Sequence, residues 1–238
     1  MAKLVIRNSA GTVQFSTNFK NVCLAAKGTI TTWSTWSSEG ITLRLFSVSY
    51  TAAGTNRPLC GVPGGAFFGV TNSGSVYTFS FLAPTSVSSL DYYIFDQLPI
   101  LPAAAGMNLR NAANELIYSS DYKPLRIRAI IGGSCQVDTD PWITSPGGRI
   151  TDESFTYESG RSYLPIITRP SFVKAYFYIG AGNYRLSTWI VSAGVSGATI
   201  TQSMRRYSAE SATTTSPSSA AQRFVLSRGI IVADVTNY

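Results

Sequence analysis

The sequence contains no histidine and few charged residues, and both shortages exclude kinds of site. Without histidine the chain cannot build a Ser-His-Asp or Cys-His catalytic set, or a metal site that uses imidazole. Only 13% of the 238 residues are charged, whereas serine, threonine, glycine and aromatic residues are abundant. This balance is typical of β-rich proteins whose surfaces are polar but carry little charge.

Cysteine is also scarce, and long apolar runs are absent from the sequence. Cys23, Cys60 and Cys135 are odd in number and follow no CxxC spacing, which favours buried free thiols in a reducing cytoplasm over a disulfide framework or zinc knuckle. No apolar run approaches the roughly 18 residues that span a bilayer. Lys3 and Arg7 interrupt any signal-peptide core. The sequence therefore predicts a chain made in the cytoplasm, with no membrane insertion.

The net charge of +7 is spread along the chain. Residues 1–102 carry six basic and three acidic side chains, and residues 103–238 carry thirteen and nine. Two pairs of basic residues lie close together in sequence: Arg126 with Arg128, and Arg205 with Arg206. A nucleic-acid-binding protein would concentrate its charge on one stripe or helix, so this distribution favours a mildly basic surface over DNA or RNA binding.

A fifteen-residue phrase occurs twice, at a constant offset of 103 positions. Residues 6–20 read IRNSAGTVQFSTNFK, and residues 109–123 read LRNAANELIYSSDYK. Five positions are identical, where chance would give roughly one, so the match indicates a tandem duplication. An apolar run, a turn and alternating residues predict a β-hairpin in each copy. Asn114 can adopt the positive φ expected of Gly11.

Strand-like segments separated by turn residues fill the rest of the chain, a pattern typical of antiparallel sandwiches and barrels. Pro99 and Pro102 stiffen a predicted linker at residues 98–106. We therefore predict an all-β protein with two tandem antiparallel β-sandwich domains related by internal duplication. The predicted domains are residues 1–102 and, with longer loops, residues 103–238.

Further features of the two halves support this prediction. An Arg-Pro pair occurs in each half, at residues 57–58 and 169–170. Residues 92–96 (YYIFD) and 230–234 (IIVAD) are also similar, since each is an apolar or aromatic run that ends in aspartate. Residues 208–222 are low in complexity and indicate a loop. The apolar side chains of the hairpins are expected to join the cores. These expected core positions are Val5, Val13, Phe15, Phe19, Leu116, Tyr118 and Tyr122.

Tryptophans and arginines are the candidate contacts for a ligand or partner. Trp33, Trp36 and Trp142 qualify because aromatic side chains on the loops of β-sandwiches hold sugars and partner proteins. The alternative is a structural role for Trp33 and Trp36, which are three apart and would point to opposite faces of a strand. Arg205 and Arg206 are further candidate contacts, at the rim of an interface.

Acidic pairs and glycine pairs give weaker indications of a site. Asp138 with Asp140, and Asp152 with Glu153, could supply calcium ligands, but few acids are present and a proline follows Asp140, which favours solvated turns. The glycine pairs lack the Lys-Ser/Thr of a phosphate-binding loop. We expect no metal and no cofactor. Nothing in the sequence indicates the facing carboxylates that glycosidases use.

Residues 106–125, GMNLRNAANELIYSSDYKPL, provide a family resemblance. The apolar strand, the Asn-Ala turn and the aromatic-Lys ending resemble the opening of small β-rich proteins encoded among the tail-tip genes of tailed bacteriophages. Residues 1–20 depart from this pattern at Thr17 and Asn18. The resemblance implies a virion component that is made in the host bacterial cytoplasm and built into the tail tip or its fibres.

We therefore expect a non-enzymatic structural protein of a phage tail tip. Its partners would be other tail proteins, the tail hub or the central fibre, in a multi-subunit assembly. The first alternative is a receptor- or carbohydrate-binding module that attaches the tail to a host surface glycan or receptor. A glycan-cleaving enzyme and a DNA-contacting protein inside the particle are less favoured alternatives.

Overall fold

A computed structural model shows an all-β protein, as the sequence predicts. It describes residues 5–7, 13–16, 21–38, 41–97, 102, 106–111, 113–137, 149–169, 172–180, 183–209 and 224–238. These residues form no helix, and so contain no helix long and apolar enough to cross a membrane. Most of the predicted linker at residues 98–106 and of the predicted loop at residues 208–222 lies outside them.

The described residues form eighteen strands, numbered in chain order. The first half contains β1 (Val5–Arg7), β2 (Val13–Ser16), β3 (Cys23–Ile30), β4 (Trp33–Ser38), β5 (Ile41–Thr51), β6 (Leu59–Gly61), β7 (Ala66–Ser73), β8 (Val76–Ala83) and β9 (Leu90–Asp96). The second half contains β10 (Asn108–Arg110), β11 (Leu116–Ser119), β12 (Arg126–Val137), β13 (Arg149–Thr156), β14 (Tyr163–Ile167), β15 (Phe172–Gly180), β16 (Asn183–Ser196), β17 (Thr199–Ala209) and β18 (Phe224–Asp234).

Each half combines a hairpin, a three-stranded sheet and a four-stranded sheet, all antiparallel. The hairpins are β1-β2 and β10-β11. The first three-stranded sheet has the order β3-β9-β6, and the second has the order β12-β18-β14. The first four-stranded sheet has the order β4-β5-β8-β7, and the second has the order β13-β17-β16-β15. The result is a β-sandwich-like fold.

The two hairpins have the same register at the repeat offset of 103. Ile6 pairs with Phe15, Leu109 pairs with Tyr118, and a bulge follows Ile6 in one hairpin and Leu109 in the other. Asn114 has a φ of 62°, which confirms the positive φ predicted for it. The repeated phrase therefore encodes one backbone conformation twice.

The same correspondence continues into the three-stranded sheets. β3 pairs with β9 and β12 pairs with β18, with a bulge between Leu24 and Ala26 in the first case and between Ile127 and Ala129 in the second. These two bulges are again 103 positions apart. The similar segments at residues 92–96 and 230–234 therefore lie in the central strands of the two three-stranded sheets.

Three strands of each four-stranded sheet also correspond. The order β5-β8-β7 in the first sheet matches β13-β17-β16 in the second, because β5 and β13 precede β6 and β14 and each pairs with the second strand of a later hairpin. The fourth strand differs: β4 lies beside β5 at one end, and β15 lies beside β16 at the other. The Arg-Pro pair of the sequence is also placed differently, because Arg57-Pro58 precedes β6 whereas Arg169 follows β14, the counterpart of β6 in the sheet order.

The main buried cluster contains side chains from both halves. It includes Phe46, Phe79, Phe81 and Ile94 from the first half, and Tyr163, Ile200, Ile230 and Val232 from the second. The central strands β9 and β18 are buried on both faces, so that Ile94 and Val232 belong to this cluster while their neighbours Phe95 and Ala233 belong to another. Two-sided burial explains why residues 92–95 of β9 and 230–233 of β18 are runs of apolar and aromatic residues.

A second cluster, here called the interface cluster, joins the two three-stranded sheets. Its buried members are Phe95, Leu125, Leu164, Ile166, Ala233 and Val235. Backbone hydrogen bonds from Leu24 N to Lys123 O and from Leu125 N to Val22 O, both 2.8 Å, also connect the halves. The boundary at residues 102 and 103 stays a prediction, and two buried clusters cross it.

The second hairpin buries a different face from the one expected. Ile117 and Ser119 are 1% and 0% exposed, whereas the expected core residues Leu116, Tyr118 and Tyr122 are half-buried. Alternate residues of a strand point to opposite sides, and here the structure packs the Ile117 side inward. The other expected positions lie outside the side chains that the structure describes: Val5, Val13, Phe15 and Phe19.

Gly61 sets the distance between the two halves, which yields a stability prediction. A Cβ at Gly61 would lie 2.8 Å from Ile166 Cγ1 and 2.8 Å from Leu164 Cδ2, inside the interface cluster. We expect Gly61→Ala to lower the free energy of unfolding by about 1–3 kcal/mol, because overpacking forces the buried side chains apart. Urea denaturation of the full chain measures this change.

Gly69→Ala is the matched control, because a Cβ at Gly69 has no atom within 4 Å. It should change the free energy of unfolding by less than about 0.5 kcal/mol. Equal effects of the two substitutions would contradict the close packing of β6 on β14.

Candidate functional site

A cleft of about 410 Å³ lies between the two halves and is the main candidate binding site. Its first wall is apolar and includes Leu43, Ala66 and Leu82 of the first four-stranded sheet. Its second wall is formed by β16 and β17 and carries the hydroxyls of Ser192, Ser196, Thr201 and Ser203. The volume is within the range of small-molecule sites.

Strand alternation places the hydroxyls on one wall. Ser192 pairs directly with Ser203, and Gly194 pairs with Thr201, so these residues share one face of the sheet. Ile190 belongs to the same alternating row and is buried with Leu43, Ala66 and Leu82 at the base of the cleft. Gly64, whose φ is +84°, lines the cleft and donates its N–H to Ala193 O at 3.0 Å. Both halves are needed to form the site.

The chemistry of the cleft suits an uncharged ligand. Each hydroxyl can donate one hydrogen bond and accept others, and Thr201 already shares a hydrogen bond of 3.0 Å with Ser154. Ser203 is 7% exposed. No charged side chain is among the described residues that line the cleft. Hydroxyl or amide groups of a ligand could therefore bind the second wall, which carries the serine and threonine hydroxyls. Apolar atoms of the ligand would contact the first wall, which contains Leu43, Ala66 and Leu82.

The two tryptophans of β4 lie on opposite faces of the sheet. Trp33 pairs with Phe46, and Trp36 pairs with Leu43. Trp33 is 44% exposed, and the guanidinium carbon of Arg44 lies 3.9 Å from the centre of its ring. Trp36 is half-buried and packs against the buried cluster that contains Leu43, but it is not among the described residues that line the cleft. Their role as ligand contacts stays a prediction.

Phe68 holds Trp36 in place by an edge-on contact with a ring-centre distance of 5.9 Å. Trp36 is therefore close to the cleft, whereas Trp33 faces the other side of the same sheet. The structure does not bring the two together in one site.

The remaining predicted contact residues are only partly described. Arg205 lies on β17 in register with Ile190, which lines the cleft, and Arg206 lies in register with Trp189. Only the backbone of these residues is described. Trp142 and the acidic pair at residues 138 and 140 lie outside the described residues.

The sequence prediction missed the hydroxyl wall and Arg44. The signal for the wall is present in residues 190–203, IVSAGVSGATITQS, where small or hydroxyl residues alternate with mostly apolar ones. Arg44 donates a hydrogen bond of 2.6 Å from Nη1 to Val87 O, and its Nε is buried without a partner. No sequence pattern marks Arg44 in the way that alternation marks the hydroxyl residues, because it is a single arginine within a strand.

The most concentrated charged cluster in the described part of the chain surrounds Asp234 at the end of β18. Its Oδ1 lies 3.3 Å from Arg126 Nη2, and its Oδ2 lies 2.9 Å from Arg161 Nη1. Arg161 also binds Glu158, with 2.8 Å between Nε and Oε2. The backbone N–H of Thr236 donates to Oδ1 of Asp234 at 2.9 Å. The cluster ties β12 and β18 to the loop between β13 and β14.

The electrostatics of this cluster favour the ionised form of Asp234. Burial alone would raise the pKa of Asp234, but the hydrogen bonds from Thr236, the charge of Arg126 and the hydrogen bond from Arg161 outweigh it and hold the pKa below its ordinary value of 3.8. A general acid needs a raised pKa to keep its proton near neutral pH. The cluster therefore has the character of a structural ion-pair network.

Two cysteines are buried free thiols, as the sequence predicts. Burial raises the pKa of Cys23 to about 11, and it raises the pKa of Cys60 further. A thiol with a raised pKa is a poor nucleophile and metal ligand at neutral pH. The third cysteine, Cys135, lies on β12 outside the described side chains.

No protein-family model, curated protein or solved structure matches this chain. Among the residues described, no group of three or more Cys, Asp or Glu side chains could hold a metal ion.

The Asp234 network yields a prediction about pH and stability. We expect Asp234→Asn to lower the free energy of unfolding by about 2 kcal/mol at pH 7, because the two arginines lose their charged acceptor. A carboxylate with a lowered pKa stabilises the fold above its unfolded-state pKa and loses that effect as the pH falls through the folded-state pKa. The difference from the wild type should therefore be constant above about pH 5 and shrink below about pH 4.

Asp91→Asn is the matched control, because Asp91 is exposed and its partner is the Thr29 hydroxyl at 2.6 Å. Urea denaturation between pH 3 and pH 7 should show only a small effect for this variant. A difference for Asp234→Asn that does not change with pH would contradict the ion-pair explanation.

Proposed function

We propose that the chain is a non-enzymatic structural protein of a bacteriophage tail tip, located in the virion, where it binds the tail hub or the central fibre. In this proposal it consists of two tandem β-sandwich units that arose by internal duplication. The chain would be made in the host bacterial cytoplasm and then join a multi-subunit assembly.

The observation that carries the proposal is the shared conformation of the two repeats. The phrase that resembles tail-tip proteins forms a hairpin in each half, with the same pairs and the same bulge. The two copies differ at ten of fifteen positions yet form the same pairs and the same bulge, which supports a common origin of the two hairpins. The two hairpins share a backbone shape but no common set of reactive side chains. This combination supports a role in assembly.

The connection between the halves also supports a structural role. The main cluster and the interface cluster both contain side chains from both halves, so the two units form one body. A rigid body of two similar units can contact two neighbouring subunits in a fixed relative geometry. This is what a component between a hub and a fibre requires.

Mass spectrometry of purified particles tests the proposal. We expect peptides of this chain in intact virions, and chemical cross-links from its exposed lysines, such as Lys27 and Lys123, to the hub or the central fibre. Capsids purified without tails are the control and should lack the chain. Its absence from intact particles would overturn the proposal.

The cleft supports the second candidate function, a receptor- or carbohydrate-binding module of the tail. A wall of serine and threonine hydroxyls opposite apolar side chains suits a neutral sugar. Trp36 packs against the apolar side chains of this wall and supports them, although it is not among the described lining residues. Host attachment would then depend on a site that exists only because the two halves meet.

Removal of the paired hydroxyls tests this second function. We expect the double variant Ser192→Ala/Ser203→Ala to weaken binding to neutral host polysaccharide by about tenfold or more, because each lost hydrogen bond is worth about 0.5–1.5 kcal/mol. Binding measured by calorimetry should depend little on salt, because the described lining carries no charge.

Ser47→Ala/Ser80→Ala is the matched control. Ser47 and Ser80 form a directly paired hydroxyl couple, 3.1 Å apart, in the first four-stranded sheet and outside the cleft. This variant should bind like the wild type. Equal loss in both variants, or no polysaccharide binding by the wild type, would refute a carbohydrate site in the cleft.

A further inference from the structure

We propose that the outer edge of β4 is a docking site for an acidic, extended segment of a partner protein. The segment would add to the first four-stranded sheet as a fifth strand. This inference deepens the proposed function and rests on it only for the identity of the partner, a neighbouring tail subunit.

Among the described residues, no strand pairs with the outer edge of β4. Within the described part of the chain β5 is its one ladder partner, and the register runs without a bulge from Trp33 with Phe46 to Ser38 with Ile41. Every second residue of β4 therefore points its N–H and C=O away from the sheet. Proteins usually block such edges with charged side chains, prolines or bulges, and the sequence of β4, WSTWSS, contains none of these.

Arg44 supplies the preference for an acidic partner. It lies in register with Thr35 of β4 and stacks on Trp33, whose ring remains 44% exposed. Among the described residues no carboxylate forms an ion pair with Arg44. Its hydrogen bond to the carbonyl of Val87 leaves the positive charge uncompensated. The net charge of +7 adds a general attraction for acidic segments.

The geometry of an added strand brings its side chains near this charge. Trp33, Thr35 and Arg44 lie on the same face of the sheet, because directly paired residues share a face. A residue opposite Thr35 on a fifth strand would be two strand spacings, about 10 Å, from Arg44. The extended side chains of arginine and glutamate together cover that distance. Main-chain bonds would give affinity, and the carboxylate would give selectivity.

Two synthetic peptides test the inference on the full-length protein. One alternates glutamate with threonine over eight residues, and the other alternates lysine with threonine. We expect the glutamate peptide to bind at least tenfold more tightly and to slow amide hydrogen exchange at alternate residues of β4. In Arg44→Gln the two peptides should bind equally. Equal binding to the wild type, or protection elsewhere than β4, would overturn the inference.

Proline variants keep the test valid if Arg44→Gln fails to fold. Neighbouring residues of a strand point their N–H groups to opposite edges, so only one of Ser34→Pro and Thr35→Pro removes an outward N–H. That variant should keep the wild-type melting temperature and lose peptide binding by tenfold or more. Unchanged binding in the variant that melts like the wild type would contradict strand addition.

Site-specific photo-cross-linking in assembled particles separates this inference from the proposed function. A photoreactive residue at Thr35 should cross-link to an acidic segment of a tail protein, whereas one at the exposed Thr71 of β7, the opposite edge of the same sheet, should not. A cross-link at Thr71 alone would overturn the docking site. Absence of the chain from particles would overturn the tail function and leave the peptide result standing.

Discussion

The close packing of the two three-stranded sheets is the constraint on which the rest of the structure depends. Gly61 permits it, because any side chain there would overlap Leu164 and Ile166. Once the sheets are joined, Phe95 and Ala233 are buried on the second face of their strands. The same approach brings the first and second four-stranded sheets close enough to enclose the cleft. The absence of a side chain at Gly61 thus contributes to the approach of the two halves, between which the cleft lies.

The sequence predicted those elements whose information is local. Each hairpin follows from a turn and an alternating strand, and the positive φ of Asn114 follows from its match with Gly11. The central strands β9 and β18 were recognisable as apolar runs, although the sequence did not indicate that both of their faces would be buried. The all-β class required only the density of turns and strand-forming residues.

Other elements could not be predicted because their cause lies far away in the chain. β14 contains Pro165, which argues against a strand, yet proline is tolerated there because β14 is an edge strand of its sheet. The place of β17 between β13 and β16 depends on long-range pairing that no local pattern encodes. The cleft is harder still to predict, since its two walls are more than a hundred residues apart in sequence and only the packing of the halves brings them together.

The two halves share a strand framework but differ in the partners at matching positions. Asp96 lies opposite Cys23 at the end of the first three-stranded sheet, and Asp234 lies opposite Arg126 at the end of the second. Asp96 accepts hydrogen bonds from uncharged donors, including the Tyr50 hydroxyl at 3.2 Å and the Ala53 N–H at 2.7 Å. Asp234 instead binds two arginines. The same position at the end of the central strand therefore serves two different polar networks, one neutral and one charged. The cleft belongs to neither half alone, because its two walls come from different halves of the described structure.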